Sequence, residues 1–126
     1  MKLMAIDYGE KRVGIASTDE SGRFALPRVV WPNDKTLIEK VIRFKEEGGI
    51  EKVVIGESRD FKGAPNTIFS KITEFKSELE KRGVEIVLHP EVLTTVEARR
   101  LQGSTSMTDA SAAALILKNY IDSINP

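Results

Sequence analysis

The stretch Leu3-Met4-Ala5-Ile6-Asp7-Tyr8-Gly9-Glu10-Lys11-Arg12-Val13-Gly14-Ile15-Ala16-Ser17-Thr18 holds two β-rich runs, 3–8 and 12–18, around a Gly9-Glu10-Lys11 turn signal. Two such runs separated by a short Gly-containing segment read as a hairpin. Asp7 follows the apolar run Leu3 to Ile6 inside the first strand, where an ionised carboxylate is costly to bury unless it is paired or bound to a metal. The pattern from Asp7 to Ala16 is D-x-G-x-K-R-x-G-I-A, and its glycines leave room beside the carboxylate for a phosphate or a metal. A turn-forming Asp ahead of a Gly-containing hairpin is the plainer reading of the same residues.

Working outward from the hairpin, Phe24 to Trp31 forms a third run whose Pro27 suits an edge strand or a bend. The period then changes. Leu37, Ile38, Val41 and Ile42 make a helical stripe over residues 34–48, opened by Asn33-Asp34 and closed by Gly48-Gly49. Lys52-Val53-Val54-Ile55-Gly56 is nearly all apolar, as expected of a strand buried on both faces. A polar loop at 57–65 leads to a second amphipathic helix carrying Ile68, Ile72, Phe75 and Leu79, ended near Gly83. Val84 to Leu88 is expected to be a second buried strand, and Thr94 to Gln102 a helix stopped by Gly103. Ala110, Ala113, Ala114, Leu117 and Ile121 line one face of a last helix. Three antiparallel-type strands followed by alternating helices and strands give an α/β fold, one mixed sheet of about five strands with helices on its faces. No repeat, low-complexity tract or linker divides it, so residues 1–126 are expected to form a single domain.

Composition narrows the chemistry. The 126 residues include nineteen Lys and Arg against nineteen Asp and Glu, a formal net charge of zero. A globally basic, histone-like binder is excluded, and any nucleic-acid surface must be a local patch. There is no cysteine, which removes disulfides, thiolate catalysis, zinc ribbons and iron–sulfur clusters. With His89 as its one histidine, a Ser–His–Asp hydrolase or a multi-His metal site is disfavoured, and the chemistry falls to carboxylates. Asp7 interrupts the N-terminal apolar run before it reaches signal-peptide length, and no stretch approaches the roughly 18 apolar residues of a membrane span. A cytoplasmic location without membrane contact is expected.

Three further carboxylates join Asp7. Asp109 opens the last helix, where Asp complements the helix dipole and Thr108 can serve as the cap. Glu57 and Glu91 each follow a strand, and in open α/β sheets sites collect at the carboxyl ends of the parallel strands. Singly, each is an ordinary first-turn or loop acid. Together, Asp7, Asp109 and either glutamate form a nest of hard oxygens for Mg²⁺ or Mn²⁺. Among the basic residues, Lys11 and Arg12 beside the hairpin turn, Arg59 and Lys62 after Glu57, and Arg99-Arg100 lie near strand ends within reach of a phosphate backbone. His89 is expected to be structural, and Trp31 and the phenylalanines to pack rather than stack on bases.

These motifs resemble those of the YqgF (RuvX-like) family, Holliday-junction resolvases also described as nucleases that mature the small-subunit ribosomal RNA precursor. The resemblance spans nearly the whole chain. It rests on Asp7-Tyr8-Gly9 with Lys11 to Ala16, on Val54-Ile55-Gly56 with Gly63, on Leu93-Thr94-Thr95-Val96-Glu97-Ala98, and on Asp109 to Leu117. It implies a ribonuclease H-like fold and a nuclease using two divalent ions, Mg²⁺ or Mn²⁺. Asp7, Glu91 and Asp109 would be the catalytic metal ligands and Glu57 a fourth acid, since the related RuvC resolvases place a catalytic Glu at the end of that strand. Lys11, Arg12, Arg59 and Arg99 would contact the nucleic-acid backbone, either precursor rRNA or branched DNA. A homodimer setting two sites across a junction also fits the family. Three features depart from its pattern: Gly56-Glu57-Ser58 replaces Gly-x-Pro, Pro90-Glu91-Val92 replaces Asp-Glu-Arg, and Gly103 to Met107 is short and lacks basic residues. These departures keep a non-catalytic nucleic-acid-binding or ribosome-assembly protein on the same fold in view. A nucleotide-handling enzyme of the sugar-kinase and actin type is the other alternative, although those proteins need two such domains.

Overall fold

The computed structural model describes residues 1–57, 67–90 and 106–125. Along the chain run β1 (Leu3–Tyr8), β2 (Arg12–Thr18), β3 (Ala25–Pro32), α1 (Leu37–Gly48), β4 (Lys52–Glu57), α2 (Thr67–Lys81), β5 (Ile86–Pro90) and α3 (Ser106–Ile124). The strands form one five-stranded sheet in the order β3-β2-β1-β4-β5. β2 pairs antiparallel with both β1 and β3, while β4 pairs parallel with β1 and with β5. The mixed α/β sheet expected from the sequence is therefore present, with β1 at its centre. Thr94 to Gln102, read as a helix, lies outside the described residues.

Strand alternation sorts the core into two layers. Met4, Ile6, Val13, Ile15, Val53 and Ile55 face Leu37 and Val41 of α1 and Ile72, Phe75 and Leu79 of α2. Leu3, Ala5, Ala16 and Val54 face Ala113, Ile116, Leu117, Tyr120 and Ile121 of α3. Val53, Val54 and Ile55 have no exposed surface, as a central strand covered on both faces requires. β3 lies at an edge, and its Pro27 sits beside a register shift between Ile15 and Ala16, which blunts that edge against further pairing.

Three boundaries differ from the sequence reading, each for a local reason. α1 begins at Leu37 rather than residue 34, because Asp34 first makes a tight turn. Its carboxylate accepts the Thr36 N–H at 2.9 Å and the Thr36 hydroxyl at 2.6 Å, and its carbonyl accepts the Leu37 N–H at 3.2 Å. β5 is shifted by two residues, from 84–88 to Ile86–Pro90, and it is a half-buried edge strand rather than a buried one. Val84 is spent on closing α2: Gly83 takes a left-handed φ of 85°, and the Val84 N–H turns back onto the Leu79 carbonyl at 3.1 Å. α3 begins at Ser106, so Asp109 is its fourth residue and Thr108 lies within the helix rather than capping it.

Candidate active site

The carboxyl ends of β1, β4 and β5 share one rim of the sheet, and Asp7 is the penultimate residue of β1 on that rim. Its side chain is only 5% exposed. By alternation with Leu3 and Ala5 it lies on the α3 face. Directly opposite it on β2 stands Gly14. On the other side, one step beyond the Ile6–Ile55 pair, stands Gly56 of β4. Both cross-strand neighbours of the buried carboxylate are thus glycines, and side-chain volume is missing on each flank. The sequence showed both glycines, but only the register shows that they flank Asp7.

The turn that follows is tight. A Cβ at Gly9 would stand 2.5 Å from the Arg12 carbonyl oxygen, a distance no side chain tolerates. Lys11 and Arg12 are exposed beside it, Arg12 as the first residue of β2. Asn33, just past the end of β3, reaches across to the same turn. Its Nδ2 donates to the Gly9 carbonyl at 2.8 Å, and its backbone N–H donates to the Lys11 carbonyl at 2.9 Å. Lys71 of α2 adds an exposed ion pair to Glu10 at 3.9 Å. The sequence offered Asn33 only as part of a helix opening, because no local pattern links it to a turn some 24 residues earlier.

Of the remaining expected site residues, Glu57 ends β4 opposite Pro90 of β5, so its backbone lies on the Asp7 rim. Asp109 belongs to the first turn of α3, the helix that covers the face on which Asp7 lies. Glu91, Arg59 and Arg99 lie outside the described residues. Among the described residues no three acidic or histidine side chains gather to hold a metal. The donor chemistry at Asp7, a buried hard oxygen ligand with no side chain on either cross-strand neighbour, nevertheless suits a hard divalent cation. His89 packs edge-on against Tyr120, ring centroids 5.9 Å apart at 84°, in keeping with the structural role expected of it. Tyr120 also meets Lys52, whose ammonium is held above its usual pKa by Glu85 and then by Tyr120. Two grooves among the described residues, of about 340 and 440 Å³, are lined by Lys2 and Arg28 in one case and by Phe24 and Leu115 in the other; Asp7 lines neither.

The family model for RuvX, described as Holliday junction resolvase, matches residues 1–123. The chain belongs to the RuvX family. A RuvX-family relative from Syntrophus aciditrophicus, named "Putative pre-16S rRNA nuclease", is 32% identical over 139 residues, covering 99% of this chain and 91% of its own. A protein of the same name from Desulforudis audaxviator is 33% identical over 136 residues, covering 98% and 95%. Among solved structures, Thermus thermophilus RuvC in complex with a Holliday junction substrate superposes with a TM-score of 0.61 at 13% identity, covering 99% of this chain and 96% of that one. Fowlpox virus resolvase with Holliday junction DNA gives 0.62 at 15%, covering both chains fully. At such identities the structural likeness speaks for the fold, which is ribonuclease H-like. RuvX membership assigns the chain to the hydrolytic nucleases. No helix among the described residues is long and apolar enough to cross a membrane.

Proposed function

We propose that this RuvX-family chain hydrolyses phosphodiester bonds of structured nucleic acid with the help of divalent metal ions, within a single domain over residues 1–126, at a site centred on Asp7. The observation that carries the reading is the buried Asp7 carboxylate at the end of the central strand, flanked by Gly14 and Gly56. A carboxylate withdrawn from water in that way is stabilised by a cation, and its cross-strand neighbours place no side chain against one. Asp7, Glu91 and Asp109 would hold Mg²⁺ or Mn²⁺, with Glu57 as a fourth acid on the same rim. When bound, two such ions supply an activated water and stabilise the leaving oxygen.

This chain's own residues do the rest. Acidic ligands repel phosphate, so Lys11, Arg12, Arg59 and Arg99 would draw the backbone in, contacts that position without reading sequence. The name of the curated relatives favours precursor 16S rRNA as the substrate, and the structural neighbours favour a four-way DNA junction. A homodimer, with one site per junction arm, goes with the second. A cytoplasmic location goes with either.

The test is cleavage of a labelled four-way junction, duplex DNA and a precursor-rRNA fragment, with Mg²⁺, Mn²⁺ or chelator, for wild type and Asp7→Asn. Metal-dependent cutting that disappears in Asp7→Asn is the expected result, and the substrate cut fastest identifies the role. Equal cutting by the variant would remove Asp7 from the site, and binding of every substrate without turnover would overturn the catalytic reading.

A further inference from the structure

The turn between β1 and β2 carries two residues expected to meet substrate, Lys11 and Arg12, and begins two residues after Asp7. Regular pairing does not hold it: the β1–β2 ladder ends at Tyr8–Val13 and the β2–β3 ladder at Arg12–Pro32. Asn33 ties its main chain to the rest of the sheet, through the carbonyls of Gly9 and Lys11 at 2.8 and 2.9 Å. Two anchor points fix an orientation, where one would leave a pivot. The peptide bonds of the described residues are trans, and a trans peptide points its C=O and the next residue's N–H in opposite directions. Aiming the Gly9 carbonyl at Asn33 therefore aims the Glu10 N–H away from it. Backbone N–H groups in tight turns are anion donors.

We propose that Asn33 is a positioning residue of the active site: it locks the Gly9–Lys11 turn in the one conformation that presents the Glu10 N–H and the flanking basic residues to a nucleic-acid phosphate. The proposal rests on the reading of Asp7 as the centre of the site. Asn33 itself touches neither metal nor phosphate. It acts through the main chain of the turn, and its own place is secured by Asp34, whose bonds to Thr36 and Leu37 anchor the segment to the start of α1.

Asn33→Leu keeps the size of the side chain and removes the donor without adding charge, whereas Asn33→Gln keeps the donor on a longer stem. Three quantities are measured on each variant and on wild type: the melting temperature, hydrogen exchange of the peptide spanning residues 8–13, and the Kd for a labelled four-way junction and a structured RNA. In Asn33→Leu, exchange in the turn is expected to quicken at least tenfold and Kd to rise about tenfold. Melting should shift by only a few degrees, because the half-exposed Gly9 carbonyl can turn to water. Asn33→Gln should recover most of the affinity. Unchanged affinity for both nucleic acids would overturn the proposal, whether or not the turn loosens. So would an affinity loss matched by a large fall in melting temperature and not recovered in Asn33→Gln, the mark of a purely structural role. Failure of the underlying site reading shows separately, as full cleavage by Asp7→Asn.

Discussion

On one face of the sheet Met4, Ile6, Val13, Ile15, Val53 and Ile55 meet α1 and α2 through long aliphatic side chains and Phe75; on the other, Leu3, Ala5, Ala16 and Val54 meet Ala113, Ile116, Leu117, Tyr120 and Ile121 of α3, a layer that mixes alanines with large side chains. The same strand serves both faces, since β1 sends Met4 and Ile6 to the first layer and Ala5 and Asp7 to the second. Large branched side chains fill volume and hold the helices at ordinary packing distance. On the α3 face Ala5, Ala16 and Ala113 stand among the larger side chains, and Gly14 and Gly56 beside Asp7 place no side chain at the rim. The α1–α2 face thus packs large side chains, while the α3 face bears Asp7, on which the proposed site is centred. A substitution should therefore separate stability from activity according to the face on which it falls.

The strongest break between the faces comes from adjacent residues of β1. Asp7→Asn should lower cleavage at least about a hundredfold, the scale set by losing one preorganised electrostatic partner. Its urea midpoint should stay close to wild type. Ile6→Ala, one residue earlier and wholly buried on the other face, should cost about 2–5 kcal/mol in urea unfolding, with the folded fraction still cutting at the wild-type rate. If Ile6→Ala lost activity in the folded state, or Asp7→Asn unfolded, the division between faces would fail.

A substitution on α3 sharpens the contrast. Ala113→Leu inserts bulk where no surface is exposed and should cost about 1–3 kcal/mol. On this face the cost should extend to activity, because lifting α3 also moves the turn that bears Asp109. Cleavage by the folded fraction is therefore expected to fall several-fold, measured by single-turnover assay beside calorimetry. The smallest effect lies at the entry to α1. The Asp34 carboxyl is held below its ordinary pKa by the Thr36 hydroxyl and N–H. A carboxyl depressed in the folded state adds stability above its unfolded pKa and loses it as pH falls through the folded value. Melting curves of Asp34→Ala and wild type should thus differ at neutral pH and converge in acid. A difference that persisted in strong acid would mean that the turn acts through backbone conformation rather than ionisation.

Much of this architecture was legible in the chain. β1, β2 and β4 were read within a residue, because short alternating or wholly apolar runs bounded by glycine leave little choice. Asp7 was legible too, as a charge at the end of an apolar run. β5 was not, since Val84 and Leu88 are equally apolar and only the closure of α2 at Gly83 assigns Val84 to the cap. The start of α1 was misplaced for a similar reason: Asp34 is as good a helix opener as a turn former, and Thr36 decides between them.

By itself, then, the sequence determined the order of the described elements, the mixed sheet and, through its motifs, the RuvX family. Those depend on periodicity and on residue type, which are local and additive along the chain. Only the tertiary structure decided that Gly14 and Gly56 flank Asp7, that α3 covers that face, and that Asn33 holds the turn beyond it. Those are pairings between residues far apart in sequence, set by strand register and by which faces meet, and no local pattern encodes a register.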